Sequence, residues 1–344
     1  MIKVGICGFG YWGPNLLRTF GKNHGFQVVA IADRLPAARA AAAETPQLRL
    51  FESAEEMIDD ASIDAVAIAT PVSTHFPLAR RALAKAKHVL VEKPMCTTAA
   101  EGEELIALAR ANGRVLMVDH TYLFHGAVTK LAELKQEGSL GAISYYDSLR
   151  VNLGLFQPDM NVLWDLAPHD LSIIDFLFDE EPVHVEATGY CHLNPGLPDI
   201  AYVTLHFASR MIAHLNLSWM SPVKVRRIAI GGSSKMVVWD DLDQDEKLKI
   251  YNSGIDVQPE DQRGTIVPSY RIGDIYSPRL PNSEPLVRVV EHFRRVIAGQ
   301  EESLMDGKRG LRVVQQLEAA QRALAASLAR NTVHGIAPAL RVAR

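Results

Sequence analysis

The chain has 344 residues, 48% of them hydrophobic and 22% charged, and a formal net charge of −4. That length suits two domains with ample core. The slight acidity and the lack of a long basic run argue against nucleic acid or a membrane surface as the main partner. No apolar run approaches a membrane span, and Lys3 and several glycines interrupt the opening "MIKVGICGFGYWG" where a secretory signal would need apolar residues. Three scattered cysteines, Cys7, Cys96 and Cys191, show neither a disulfide framework nor metal-ligand spacing, so a reducing cytoplasm is the expected location.

Residues 1–120 alternate short apolar strands, expected at 2–7, 27–32, 64–69, 88–91 and 115–118, with helical patterns at about 13–24, 53–60, 75–86 and 98–113. Such alternation implies an α/β fold: a parallel, doubly wound Rossmann sheet whose ligands sit at the carboxyl ends of the strands. The first strand runs into Gly8-Phe9-Gly10-Tyr11-Trp12-Gly13, which opens a helix, and an acidic residue follows at Asp33 after "VVAIA". This context is what a dinucleotide fingerprint requires. Gly8 permits the tight turn, Gly10 lets the backbone approach a pyrophosphate seated on the helix N-terminus, and Gly13 lets helix and strand pack closely. Phe9, Tyr11 and Trp12 then belong to the coenzyme loop. Asp33 would accept the adenosine ribose hydroxyls and repel a 2′-phosphate, which favours NAD over NADP. Arg34 pulls the other way, because its guanidinium could pair with that phosphate. The competing reading is a glycine turn with no ligand.

The remaining strand ends of this half fall on the same edge. Thr70, Pro71, Thr74 and His75 follow the 64–69 strand, and Asp119, His120 and Tyr122 follow the 115–118 strand. They read either as coenzyme contacts or as plain caps and turns, with Thr74 capping the next helix. Glu92, Lys93 and Pro94 follow the 88–91 strand. Proline restricts the backbone before it. A lysine held there can hydrogen-bond a substrate hydroxyl and stabilise negative charge developing on its oxygen.

From about residue 121 the pattern changes to a larger α+β domain, 121–344, whose C-terminal helices are free to pack back on the first. A helix is expected over 125–136, then strands at 142–152, 182–191, 201–207, 211–219, 225–231 and 235–239. The runs 201–207 and 211–219 alternate cleanly and predict an antiparallel hairpin joined by an odd-length loop, with one apolar face against helices. The opposite face is assigned to oligomer contact. The acidic run "DDLDQDEK" at 240–247 reads as a solvated turn, and the proline-rich stretch 254–285 as a functional loop or oligomer arm. Two helices close the chain, one around 286–297 and one ending near Asn331.

The segment "NVLWDLAPHDLSIIDFLF", 161–178, carries the second chemical signal. Pro168 suits a helix's first turn. Asp165 and His169 are four apart, so they share a helix face. A carboxylate beside an imidazole fixes its tautomer and raises its basicity, which makes His169 a candidate general base. Two other readings compete: Asp165 as a helix N-cap beside a packed His169, or the two as metal ligands lacking a third.

Taken together, Gly8-x-Gly10-x-x-Gly13, Ala69-Thr70-Pro71 with His75, Glu92-Lys93-Pro94 and Asp165-x-x-x-His169 resemble the Gfo/Idh/MocA oxidoreductases in order and spacing. The blocks "GYWGPN" and "NLGLFQ…NVLWDLAPHDLS" look like the subgroup of nucleotide-sugar dehydrogenases. The resemblance implies a Rossmann domain followed by an α/β domain with an open, largely antiparallel sheet. It implies homodimers or homotetramers built through that sheet. It also implies hydride transfer between NAD(H) and a secondary hydroxyl of a sugar, with His169 taking the hydroxyl proton, Asp165 tuning it and Lys93 polarising the oxygen above the same nicotinamide. Glu92, Thr70, Pro71 and His75 become coenzyme contacts by the same analogy, and Tyr122, Arg150, Asn152 and Trp164 substrate contacts. One departure is the run Asp159-Met160-Asn161-Val162, where many relatives carry a glycine pair. The rival from another class is a non-catalytic dinucleotide sensor; within enzymes, a free polyol or inositol dehydrogenase is the alternative.

Overall fold

A computed structural model describes residues 1–154, 156, 160–257 and 268–333. The chain divides into two compact units. One is Met1–His125 with Ser283–Glu318, and the other is Gly126–Asn282 with the chain from Ala319 on. The first unit is therefore not one continuous stretch.

Its elements in chain order are β1 (Ile2–Cys7), α1 (Gly13–Lys22), β2 (Phe26–Ala32), α2 (Pro36–Ala42), β3 (Arg49–Phe51), α3 (Ala54–Asp59), β4 (Ala65–Ile68), α4 (His75–Ala84), β5 (His88–Glu92), α5 (Ala99–Ala111) and β6 (Leu116–Asp119). The six strands form one parallel sheet in the order β3-β2-β1-β4-β5-β6. The strand order reverses at β1, so the crevice between the ends of β1 and β4 is the topological switch point where such sheets take ligands. The alanine-rich α2 and the short β3 carry no apolar periodicity, and nothing in the sequence pattern announced either. Later in the chain, Phe293 is fully buried in this unit with its ring stacked 5.8 Å from that of Phe26.

The second unit holds α6 (Gly126–Gln136), β7 (Ile143–Leu153), α7 (Val162–Phe178), β8 (His184–Tyr190), β9 (Ile200–His206), β10 (Ile212–Ser218), β11 (Met220–Gly232), β12 (Met236–Asp240), β13 (Leu248–Tyr251), β14 (Gly254–Val257), β15 (Pro268–Arg271) and β16 (Ile275–Tyr276). Eight strands make one sheet, β16-β13-β12-β11-β7-β10-β9-β8, in which only β7 and β10 run parallel. β14 and β15 pair apart from it. In the β9–β10 hairpin Ile212 faces His206, so residues 207–211 make an odd-length loop. Ala201, Val203, Leu205, Ala213, Leu215 and Leu217 are buried on one face, while Tyr202 and Ile212 are each 41% exposed on the other. Burial of a large aliphatic side chain is worth about 1.5–3 kcal/mol, so this alternation fixes which face meets α7. The acidic run is the turn between β12 and β13. Part of the expected 254–285 loop is β14, β15 and β16, and residues 258–267 lie outside the described residues. The chain ends in α8 (Pro285–Ile297) and α9 (Gly307–Val333).

Candidate functional site

In the first unit, β1 delivers the chain into a turn at Gly8, whose φ is +90°. A methyl group at Gly8 would lie 2.4 Å from the carbonyl oxygen of Ala69, and one at Gly13 would lie 2.5 Å from that of Gly8. Both positions exclude any side chain, which is the tight turn and close packing the fingerprint needs. Gly10 is different: it is exposed, and a methyl there would meet nothing within 4 Å. α1 opens on Trp12 with no side-chain cap; Pro14 has no N–H and that of Asn15 already donates to the Trp12 carbonyl at 3.0 Å, so the Gly13 N–H is the one the first turn offers to an anion. Open space ahead of an uncapped helix fits a pyrophosphate.

At the end of β2, the Asp33 carboxylate accepts hydrogen bonds from the backbone N–H groups of Phe9 at 2.7 Å and Leu35 at 2.8 Å. Each carboxylate oxygen has a second lone pair, so the group is fixed in place and still able to receive ribose hydroxyls. Arg34 and Tyr11 are exposed, and Phe9 is buried. Thr74 does not cap α4; its hydroxyl reaches Thr70 Oγ1 at 2.6 Å and donates to the Pro71 carbonyl at 2.7 Å, tightening that turn. His75 is buried, and its ring bridges the carbonyl oxygens of Thr70 and Pro94 at 2.8 Å each. This histidine ties together the turns after β4 and β5.

Lys93 follows β5, is half-buried, and precedes Pro94 through a cis peptide. Glu92 stands beside Asp119 in the register of β5 and β6. Tyr122 lies half-exposed in the short turn after β6, its ring 6.5 Å from that of His125.

In the second unit, α7 carries Trp164, Asp165 and His169. Its N-cap is Asn161, whose side chain accepts from the N–H groups of Leu163 at 3.0 Å and Trp164 at 3.2 Å. The N-cap reading of Asp165 is therefore overturned. Pro168 lies inside the helix, not in its first turn as expected, because the asparagine cap starts the helix earlier than the proline suggested. Gln321 Oε1 accepts from Asn161 Nδ2 at 2.8 Å and from Trp164 Nε1 at 3.2 Å, pinning the cap. Asp165 Oδ2 accepts from the indole N–H of Trp219 at 3.0 Å. Trp219 is buried and meets Phe156 edge-on, with ring centroids 5.4 Å apart. Asp165 thus presents from a fixed rotamer on the face that carries half-buried His169 one turn on. No group of three or more metal-ligating side chains occurs among the described residues.

Arg150 has a different setting from the one the resemblance offered. It is buried, and Nε and Nη2 donate to Asp170 on α7 at 2.8 and 3.3 Å. Ser148 and Tyr146 donate to the same carboxylate at 2.8 and 3.1 Å. Burial and the adjacent carboxylate hold the Tyr146 phenol well above the ordinary tyrosine range, so it remains a neutral donor. The structure gives Arg150 a partner inside the fold, where a substrate contact was expected. Asn152 is half-buried farther along β7.

Trp219, Asp170 and Gln321 had no signal of their own in the sequence. Trp219 read as one more apolar residue of a strand, although a buried indole N–H demands an acceptor. Replacing it with phenylalanine keeps the ring and removes the donor. The expected result is a folded protein with kcat reduced roughly tenfold, since a hydrogen bond to a charged group contributes about 1.5–3 kcal/mol. Steady-state kinetics alongside a thermal melt checks it; a parallel loss of stability with unchanged kcat would show a purely structural bond.

A doubly wound parallel sheet with this glycine turn, a fixed acid after β2 and an uncapped helix at the switch point defines a dinucleotide-binding protein. Residues 2–120 match the oxidoreductase family with NAD-binding Rossmann fold, GFO_IDH_MocA, and residues 128–238 match the C-terminal domain of that family. An uncharacterized oxidoreductase of Escherichia coli is 31% identical over 72% of this chain and 74% of its own. The UDP-N-acetylglucosamine 3-dehydrogenase of Acidithiobacillus ferrooxidans is 28% identical over 91% of this chain and 94% of its own. Its crystal structure superposes with a TM-score of 0.80, covering 95% of this chain and 99% of that one at 27% identity. A protein of gentamicin A biosynthesis solved with NAD shares the fold at 20% identity, with a TM-score of 0.79 over 94% of each chain. The chain belongs to the Gfo/Idh/MocA oxidoreductases, and its first unit carries their NAD-binding Rossmann domain. Among the described residues, no helix is long and apolar enough to cross a membrane.

Proposed function

We propose that this oxidoreductase acts on a secondary hydroxyl of a nucleotide-linked sugar, at the 3-position of a UDP-N-acetylhexosamine or a close analogue. The observation that carries the reading is the likeness to the Acidithiobacillus 3-dehydrogenase along nearly the whole chain, in sequence and in fold. NAD, when bound, supplies the hydride acceptor. Gly8, Gly10 and the start of α1 hold its pyrophosphate, and Asp33 its adenosine ribose. Thr70, Pro71 and Glu92 line the same strand-end crevice. His169 takes the hydroxyl proton, Asp165 holds the imidazole ready for it, and Lys93 donates to the substrate oxygen as charge develops there. Tyr122, Asn152 and Trp164 orient the sugar. A sensor has no use for a base, so the full set Lys93, Asp165 and His169 favours catalysis.

The test is direct. Purified protein is titrated with NADH by fluorescence, then offered UDP-N-acetylglucosamine, other nucleotide sugars, free sugars and inositols with NAD. Turnover on the nucleotide sugar with little on the free ones is expected. Coenzyme binding without hydride transfer to any candidate would favour the sensor, and preference for free inositol would move the substrate class. We also infer assembly into a dimer or tetramer in the cytoplasm through the open sheet face that exposes Tyr202 and Ile212. Light scattering should then give a mass above one chain, and Ile212→Lys should lower it.

A further inference from the structure

Glu92 and Asp119 are strand neighbours at the carboxyl edge of the first unit's sheet, paired in register at the ends of β5 and β6. Asp119 is 1% exposed. Glu92 Oε1 and Asp119 Oδ2 are both buried, and neither has an aligned donor. Two buried acceptors left over on touching carboxyl groups is a costly arrangement if both are ionised. It is resolved by a single proton placed between them, which turns the clash into a charge-assisted hydrogen bond.

The surroundings say which partner keeps the charge. Thr121 Oγ1 donates to Asp119 Oδ1 at 2.7 Å. The indole N–H of Trp12, from the glycine loop, is buried without an aligned acceptor and faces the Asp119 carboxylate. Burial raises the Asp119 carboxyl too, but these donors offset part of that, so of the two groups Asp119 is the one favoured to carry the charge. Glu92 has burial and the Asp119 charge against ionisation, and only its neighbour Lys93 for it; the balance holds its carboxyl well above the ordinary range. The charged groups acting on Glu92 are Asp119 from β6 and Lys93 just after β5, while the glycine loop and the turn after β6 contribute the neutral Trp12 and Thr121.

We propose that Glu92 and Asp119 share one proton at neutral pH, and that this singly charged pair is the positioning device that fastens the end of β5, and Lys93 with it, to the glycine loop. Asp119 reaches Glu92 on one side and Trp12 on the other, so one carboxylate links the catalytic lysine's strand to the pyrophosphate turn. The shared proton stands without the catalytic reading of Lys93; its value to the reaction rests on that reading.

Loss of the proton at alkaline pH puts two like charges in one buried place and drives β5 from the loop. A carboxyl raised in the folded state keeps its proton above about pH 4.3, where the unfolded chain gives it up, so folding stability falls as pH climbs from there through the folded value. Infrared spectra of the coenzyme-free full chain at neutral pH should show a protonated carboxyl band that is absent from Glu92→Gln and shifted in frequency in Asp119→Asn, where the charged partner of the shared proton is gone. In the first variant the amide donates to Asp119 as the acid does. In the second the repelling charge is gone, but burial, the larger cause, still opposes ionisation of Glu92. NADH affinity of the wild type, read by fluorescence, should weaken at least tenfold on the alkaline side, and that of Glu92→Gln should stay flat. Absence of the band at neutral pH, or an unchanged alkaline limb in Glu92→Gln, would overturn the proposal. Full turnover in Lys93→Ala with the band intact would sink the catalytic reading and leave the shared proton in place.

Discussion

Alanine at Lys93 or at His169 is expected to lower turnover by about a hundredfold or more in each case, in line with general acid–base and oxyanion contributions. The two losses should differ in kind. His169→Ala removes the acceptor of the hydroxyl proton and should abolish the acid-side limb of the pH–rate profile while leaving NADH affinity close to wild type. Lys93→Ala removes a donor to the substrate oxygen, and its loss should fall on kcat more than on KM, because the bond strengthens only as charge develops. The double variant should be little worse than either single one, since groups that serve one step are non-additive. Rapid-mixing kinetics on the accepted sugar, with coenzyme affinity measured in parallel, tests all three. Near-wild-type rates in both single variants would refute the assignment.

Strand–helix alternation and the glycine pattern made the first unit readable because each feature is local: an apolar run, a turn, an acid at the next strand end. Gly8, Asp33 and Lys93 stand at such points, and the structure finds each on the carboxyl edge of the sheet. What escaped was set by distant pairing. Phe293 stacks on Phe26 although the stretch Gly126–Asn282 of the second unit lies between them in sequence. Asp119 was visible as a strand-end residue, but its partnership with Glu92 depends on which strands are neighbours and in what register. Pro168 misled because proline is commonest in a first turn, yet Asn161 was present as a better cap. Asp165 was recognised by its spacing to His169, whereas the indole that holds it comes from Trp219, three strands farther along the chain.

Arg150 gives the largest expected effect on stability. Its guanidinium and the Asp170 carboxylate are 6% and 0% exposed, and the carboxylate also collects two hydroxyls. Asp170→Ala leaves a buried cation and two buried hydroxyls without their acceptor, and should cost about 3–5 kcal/mol. For a chain of 344 residues, at about 2.1 cal/mol/K of unfolding entropy per residue, that corresponds to a fall in Tm of about 4–7 °C. Arg150→Met removes the other partner and leaves the buried Asp170 carboxylate with only the Tyr146 and Ser148 hydroxyls, so it too should lower stability. Replacing both, as Arg150→Met with Asp170→Leu, should recover much of the loss, because two matched apolar groups leave no buried charge. Thermal melts across pH check the series. If Arg150→Met instead left the melt unchanged and raised KM for the sugar, the guanidinium would belong to the substrate and its pairing with Asp170 would be incidental.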